Sequence, residues 1–116
     1  MTRTVFALAR YEDLAKAIDF LAAAFGFTAH EVSKDDSGAV VHAELLIGED
    51  MIMIGKGQPG GPGIYVAVDD PDAHHDHAKA AGATITMELV DQPYGSREYG
   101  CADPEGNTWY FGTYRP

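Results

Sequence analysis

The sequence is poor in cysteine, in basic residues and in long apolar runs. Its single cysteine, Cys101, cannot form an intrachain disulfide. Eight basic residues against eighteen acidic ones give a net charge of −10, which opposes the phosphate backbone of nucleic acids and anionic membrane surfaces. No apolar run approaches the roughly 20 residues that a membrane-spanning helix requires. We therefore expect a cytoplasmic protein that binds neither nucleic acid nor membrane.

The length of the chain suffices for one hydrophobic core. A domain of 116 residues buries roughly two thirds of the surface of its unfolded chain. The segment Gly55–Gly63 holds five glycines and two prolines, which preclude a stable helix or a central strand. We therefore predict one domain, residues 1–116, made of a first module (1–55), a linker rich in glycine and proline (56–62) and a second module (63–116).

The same supersecondary pattern occurs twice in the chain. One predicted helix ends at Gly26 and a second ends at Gly82, 56 positions later. Each helix follows an apolar strand and precedes hairpin-like segments, which indicates a β-α-β-β-β order in both halves. The predicted helices span Leu14–Phe25 and Ala73–Ala81, and the strands before them span Val5–Leu8 and Ile64–Val68. The second helix is predicted to open at Asp70 and Pro71, where the Asp side chain accepts from free backbone amides and Pro fits the first turn. The predicted fold class is α+β, with two half-sheets that curve toward each other and leave a hollow.

An ordered set of short motifs resembles one protein superfamily over nearly the whole chain. The motifs are Ala24–Phe27, His42–Leu45 before Gly48, Val68–Asp70 at the start of the second helix, and Asp103–Asn107 before Trp109. Together they resemble the glyoxalase / bleomycin-resistance / extradiol-dioxygenase superfamily, also called vicinal oxygen chelate proteins. The resemblance implies paired βαβββ modules that form a curved mixed sheet around a ligand cavity, often in a homodimer.

The resemblance also implies four positions at which metalloenzymes of the superfamily hold a metal ion. In this chain those positions are occupied by Phe6, Met53, Gly63 and Tyr110. Phe and Gly have no donor side chain, Met is a soft thioether and Tyr is a rare ligand. We therefore predict neither a metal site nor a cofactor. Members without these ligands resemble the antibiotic-sequestering branch, which binds a small molecule without transforming it.

Strand alternation predicts an apolar, aromatic wall beside these positions. Met51 shares a face with Met53, and Tyr65 shares one with Gly63 and Tyr110. Methionine adapts to irregular shapes and tyrosine offers a flat face, which suits a planar organic ligand lying between the two modules. The alternative is that these side chains fill a collapsed core. Trp109, which alternates with Tyr110, is predicted to point into the core under a helix.

Three polar side chains are predicted to contact the ligand. His42 and Glu44 lie two apart on one strand face, where they either orient a ligand, act as an acid–base pair, or are ordinary solvated side chains. Arg97 either binds a ligand carboxylate or pairs with neighbouring residues to fix its loop. No residue is assigned as catalytic.

Two other groups of reactive side chains favour structural interpretations. His74 and His77 lie three apart on one helical face and His75 lies beside them, but this helix should be amphipathic, so we expect solvated histidines rather than a metal site. Cys101 has no histidine or cationic helix end beside it and is expected to be buried core material.

The sequence is compatible with two main functions. The first is a homodimeric protein that binds a small planar or aromatic organic molecule and confers resistance by sequestering it. The second is an isomerase or lyase that acts on a small organic substrate through His42 and Glu44 or through an unpredicted metal. A third, weaker interpretation is a fold retained only for protein assembly.

Overall fold

The computed structural model describes residues 4–116, and two helices and eight strands run through them in a doubled order. The elements are β1 (Ala7–Tyr11), α1 (Leu14–Phe25), β2 (Thr28–Lys34), β3 (Val40–Ile47), β4 (Asp50–Lys56), β5 (Ile64–Ala67), α2 (Pro71–Ala80), β6 (Thr84–Asp91), β7 (Arg97–Ala102) and β8 (Thr108–Gly112). The predicted α+β class and the two βαβββ modules are confirmed. The chain divides into two compact units, the first ending at Pro59 and the second beginning at Gly60.

The first unit is a four-stranded mixed sheet with α1 on one face. Its strand order is β1-β4-β3-β2, with β1 and β4 parallel and the other pairs antiparallel. The Asp13 side chain accepts from the Lys16 amide at 3.1 Å, so the first turn of α1 is capped. Gly26, at φ 79°, ends the helix because its left-handed backbone carries no Cβ penalty. The predicted bounds of this helix are confirmed.

The second unit repeats this arrangement. Its strand order is β5-β8-β7-β6, again with one parallel pair, β5 and β8. Asp70 caps α2 by accepting from the Ala73 amide at 3.1 Å, and Pro71 fits the first turn. The predicted opening of this helix at Asp70 and Pro71 is confirmed.

Equivalent residues of the two parallel strand pairs lie 57 positions apart. Leu8 stands opposite Met53 in the first sheet, and Tyr65 stands opposite Tyr110 in the second. The predicted metal positions Phe6 and Gly63 precede Leu8 and Tyr65 by two residues in the chain. Residues 57 positions apart in the sequence therefore occupy equivalent positions in the two sheets.

A stack of aromatic rings forms the core of the second unit beneath α2. Trp109, Phe111, Tyr99 and Cys101 have no exposed surface. The Tyr99 and Phe111 rings stack at a centroid distance of 5.4 Å, and Trp109 Nε1 donates to the Asp103 carboxylate at 3.1 Å. Because Tyr110 is 39 % exposed while both its neighbours are buried, the predicted inward direction of Trp109 is confirmed.

Two sequence expectations about strand ends are wrong. The first strand begins at Ala7 rather than Val5, which is 89 % exposed. Gly55, part of the segment predicted to form no central strand, belongs to β4 and stands opposite Arg10 on one side and His42 on the other. A glycine fits there because a Cβ at position 55 would lie 2.9 Å from an Arg10 guanidinium nitrogen.

In the part of the chain from residue 4 onward, neither helix is long and apolar enough to cross a bilayer.

Candidate ligand-binding faces

Each sheet has one face covered by its helix and one face without a helix, which we call the open face. In the first unit, Ala43, Leu45, Ile52 and Ile54 are buried on the covered face. The alternate residues of β3 and β4 therefore point to the open face. There Glu44 stands opposite Met53, and Leu46 opposite Met51. The structure thus brings together His42, Glu44, Met51 and Met53, the four predicted contacts of this module.

Arg10 belongs to the same open face and was missed from sequence. Its side chain lies across Gly55 and Gly57, and it donates to the Lys56 carbonyl oxygen at 3.3 Å. His42 approaches Gly55 from the opposite strand. Strand alternation from Phe6 leads through Leu8 to Arg10, so the sequence did carry the signal. The first module therefore offers a guanidinium, an imidazole and a carboxylate on one face.

In the second unit, the Tyr110 ring lies between two glycines of the open face, one at each edge of the ring. A Cβ at Gly100 would lie 3.1 Å from two ring carbons of Tyr110, and a Cβ at Gly63 would overlap the ring edge. Met87, opposite Gly100 on β6, continues the same row. The two glycines allow the ring to lie against the backbone, and its outer surface remains exposed.

Tyr65 lies next to Tyr110 and extends toward the end of the second sheet. Its hydroxyl donates to the Tyr114 carbonyl oxygen at 2.7 Å. The hydroxyl oxygen also lies 2.9 Å from the position of a Cβ on Gly112. Tyr65 and Tyr110, both predicted as ligand contacts, therefore form one aromatic surface on the open face.

Arg97 is not part of this surface. Its guanidinium binds the Asp72 carboxylate through two hydrogen bonds of 2.7 and 3.1 Å and the Asp91 carboxylate through one of 3.2 Å. These bonds raise the pKa of Arg97, and the bond from Arg97 lowers the pKa of Asp72. Asp72 lies on α2, so the side chain points to the covered face. The geometry matches the predicted role of fixing a loop. A role in ligand binding stays a prediction.

The expectation that the histidines of α2 are solvated is wrong for two of the three. His75 is only 8 % exposed, and its ring nitrogens lie 2.9 Å from Asp76 and 3.0 Å from Glu88. The His74 ring packs on Phe111 at a centroid distance of 4.1 Å, with Nδ1 2.6 Å from the Tyr99 hydroxyl. Burial lowers the pKa of His74 to about 4. The alanines of this helix leave room above the aromatic core, and these imidazole rings fill it. His77 is exposed as predicted.

Cys101 is buried, as predicted. Its environment raises the pKa of the thiol to about 12, chiefly because burial disfavours the thiolate and to a smaller extent because Asp103 is near.

Comparison with known proteins identifies the family. The model of the Glyoxalase/Bleomycin resistance protein/Dioxygenase superfamily matches residues 4–111. The chain belongs to this superfamily. The resemblance stated from sequence is confirmed.

Relatives of this superfamily resemble the chain over most of its length. An uncharacterized protein of Mycobacterium bovis is 33 % identical, in an alignment that covers 87 % of this chain and 76 % of the relative. The crystal structure of TioX from Micromonospora sp. ML1 is 30 % identical with a TM-score of 0.80, covering 95 % of this chain and 94 % of that one. A glyoxalase-related enzyme from Clostridium phytofermentans has a TM-score of 0.80 at 21 % identity, covering 97 % of this chain and 95 % of that one, which shows the fold alone.

The residues at the metal positions of the superfamily do not fit a divalent ion. Met53 and Tyr110 lie on open faces, but neither is a common ligand, and Phe6 and Gly63 have no donor atom in their side chains. Between residues 4 and 116, no group of three or more His, Cys, Asp or Glu side chains is arranged to hold a metal. We therefore derive no step through a metal at these positions.

Proposed function

We propose that this superfamily member binds a small planar or aromatic molecule on the Tyr110 surface and sequesters it, in the manner of a resistance protein, without transforming it. The observation that supports the proposal is the Tyr110 ring, which lies between Gly63 and Gly100 and keeps 39 % of its surface exposed. The exposed part of such a ring offers aromatic surface to a second planar group.

The energetics favour an aromatic partner over a generic apolar one. Aromatic pairs gain about 0.5 to 1.5 kcal/mol beyond the burial of apolar area. Tyr65, beside Tyr110 in register, extends the surface. Met87 on the other side supplies a flexible apolar boundary that adapts to ligands of different outline.

The open face of the first module, taken by itself, carries other side chains that the sequence predicts to contact a ligand. Met51 and Met53 supply adaptable apolar surface, and the partly exposed His42 and Glu44 supply hydrogen-bonding groups. Arg97 contributes only if a ligand carboxylate replaces Asp72 or Asp91 as its partner.

A titration with the uncharged planar probe 1-methylnaphthalene, followed by NMR, tests the proposal. The wild type and Tyr110→Phe should bind with similar affinity, because both keep the ring. Tyr110→Leu, which keeps apolar bulk but removes the flat face, should bind about three- to tenfold more weakly. Absence of saturable binding, or equal affinity in Tyr110→Leu, would contradict the proposal.

The second candidate function is an isomerase or lyase reaction at the open face of the first module. The observation in its favour is the grouping of Arg10 and His42 on the two sides of Gly55, with Glu44 two residues further along β3. Such a group supplies a proton acceptor and a cation that stabilises developing negative charge.

The two functions are separated by the fate of a ligand that copurifies with the chain. The compound is identified by mass spectrometry and then incubated with fresh protein and with Glu44→Gln. Recovery of the unchanged compound supports sequestration. Conversion by the wild type that is lost in Glu44→Gln supports the enzyme.

A further inference from the structure

A carboxylate lies almost buried on the open face of the second sheet. Glu98 is 9 % exposed and stands opposite Gly112 in the register of β7 and β8. Its Cγ lies 2.5 Å from the position of a Cβ on Gly112, so the glycine makes room for the side chain. Glu98 alternates with Arg97 and Tyr99, which point to the covered face, and therefore shares the face of Tyr110.

Three tyrosines, Tyr65, Tyr94 and Tyr114, are grouped near this carboxylate, and we call them the tyrosine cluster. The Tyr94 hydroxyl donates to Glu98 Oε1 at 2.8 Å. The Tyr94 and Tyr114 rings meet edge to face at 6.2 Å. The Tyr65 hydroxyl reaches the same space above Gly112 that Glu98 Cγ approaches. All three rings keep substantial exposure.

Within residues 4–116, the Glu98 carboxylate has a neutral hydrogen-bond donor beside it and no cation paired with it. Among the described residues, the Tyr94 hydroxyl is its hydrogen-bond partner and no lysine or arginine forms an ion pair with it. Arg97, its neighbour in the chain, binds Asp72 and Asp91 on the covered face instead. A carboxylate in such a partly buried position forms a stronger hydrogen bond with a cation than with a neutral donor. Aromatic rings add to that attraction through their negative faces.

We propose that Glu98 and the tyrosine cluster bind the cationic group, a protonated or quaternary amine, of the aromatic ligand whose flat part rests on Tyr110. This inference rests on the proposed function, because it assigns a charge to the ligand of the same open face. The net charge of −10 attracts such a ligand from a distance.

Two probes of matched shape test the proposal: 1-methylquinolinium, which carries a positive charge, and 1-methylnaphthalene, which does not. The wild type should bind the cation about tenfold more tightly than the neutral probe. Glu98→Gln keeps the size of the side chain and its ability to accept from Tyr94. It should remove most of that preference and leave the affinity for 1-methylnaphthalene unchanged.

Glu88→Gln is the matched control. It removes the same charge from the same module, but Glu88 contacts His75 of α2 on the covered face. It should leave the preference for the cation intact. If Glu88→Gln and Glu98→Gln reduce the preference for the cation equally, Glu98 has no specific role. Equal binding of the two probes by the wild type would also overturn the proposal.

A measurement on the wild type keeps the proposal testable if Glu98→Gln does not fold. The backbone amide resonances of Glu98 and Gly112 should shift with 1-methylquinolinium and much less with 1-methylnaphthalene. Shifts confined to the surroundings of Tyr110 with both probes would overturn the cation site and leave the proposed function standing. Failure of both probes to bind would overturn both.

Discussion

At the scale of single residues, Trp109 and Tyr110 are chain neighbours with opposite environments. The Trp109 ring is fully buried and donates to Asp103, whereas Tyr110 keeps 39 % of its surface exposed. Removal of the buried Trp109 ring leaves a cavity and takes one hydrogen-bond donor away from the Asp103 carboxylate, whereas removal of a surface ring does neither. Two aromatic substitutions one residue apart should therefore have different consequences.

Trp109→Ala should lower the free energy of unfolding by about 3 to 5 kcal/mol. Tyr110→Ala should lower it by no more than about 1 to 2 kcal/mol. Chemical denaturation of both variants checks the difference. If Trp109→Ala has only a small effect on the free energy of unfolding while Tyr110→Ala unfolds the chain, the side chains of β8 have been assigned to the wrong faces of the sheet.

His74 should make stability depend on pH. Burial lowers the pKa of His74 to about 4 in the folded chain, from the 6.5 of an ordinary histidine. As the pH falls below 6.5, the unfolded chain takes up a proton that the folded chain does not, so stability is complete above that pH and is lost toward pH 4. The loss is at most about 1.4 kcal/mol per pH unit.

Thermal midpoints measured from pH 7.5 to 4.5 check this prediction. The decline with falling pH should be shallower in His74→Gln than in the wild type. His30→Gln, which changes an exposed histidine of β2, should keep the wild-type slope. Parallel curves for the wild type and His74→Gln would contradict the assignment.

The sequence predicted the open-face residues better than the histidines of α2. Alternation on a strand fixes which side chains share a face, so Glu44, Met51 and Met53 follow from one register. The burial of His74 depends on the depth of the space above Phe111. Tertiary packing sets that depth. The sequence of α2 has few large apolar residues, so its pattern does not show how deeply each side chain is buried.

At the scale of elements, the start of β5 controls the position of the Tyr110 ring on β8. A Cβ at Gly63 would overlap the ring, whereas a Cβ at Gly61 would meet open space. Because Tyr110 is partly exposed, its ring can swing outward at a modest cost in stability. A Cβ at position 63 should therefore reduce ligand affinity more than it reduces the stability of the fold.

Gly63→Ala should therefore weaken 1-methylnaphthalene binding about three- to tenfold, as Tyr110→Leu does. Gly61→Ala should have no effect on binding. Combined with Tyr110→Leu, Gly63→Ala should add no further loss, because the two changes act on the same ring. Additive losses in this double-mutant cycle would contradict the coupling between the two strands.

Element boundaries followed from sequence where one local signal decides them. An apolar stripe and a terminal glycine define α1, and its predicted bounds agree with the structure. The start of β1 depends instead on where its partner begins, since pairing opens with Ala7 opposite Ile52. The apolar pair Val5 and Phe6 has strand propensity but lies before that register.

At the scale of the whole molecule, we predict that the chain forms a homodimer. Apolar side chains with substantial exposure occur in the first unit, among them Leu8 and Val41. Small domains commonly cover such surface in a symmetric partner. Light scattering at micromolar concentration should give twice the 12.5 kDa of one chain. A mass of one chain across a dilution series would exclude the dimer.

The doubled architecture was visible in the sequence because both halves repeat the same helix ending. The two terminating glycines lie 56 positions apart, close to the spacing of 57 between the equivalent pairs Leu8–Met53 and Tyr65–Tyr110. The chemistry of the faces was less accessible. Glu98 is notable because it is nearly buried and accepts a hydrogen bond from Tyr94. Neither its burial nor this hydrogen bond can be read from a local sequence pattern.

Because Cys101 is buried, the rate at which its thiol is labelled reports the rate at which the second unit opens. A thiol whose pKa is about 12 and which has no exposed surface is inert toward disulfide reagents while the second unit stays folded. With an excess of such a reagent, the rate of labelling should equal the rate at which this unit opens. Trp109→Ala, which removes the buried ring opposite Cys101 in the register of β7 and β8, should accelerate the reaction. Tyr110→Leu, on the other side of the same strand, should leave its half-life nearly unchanged.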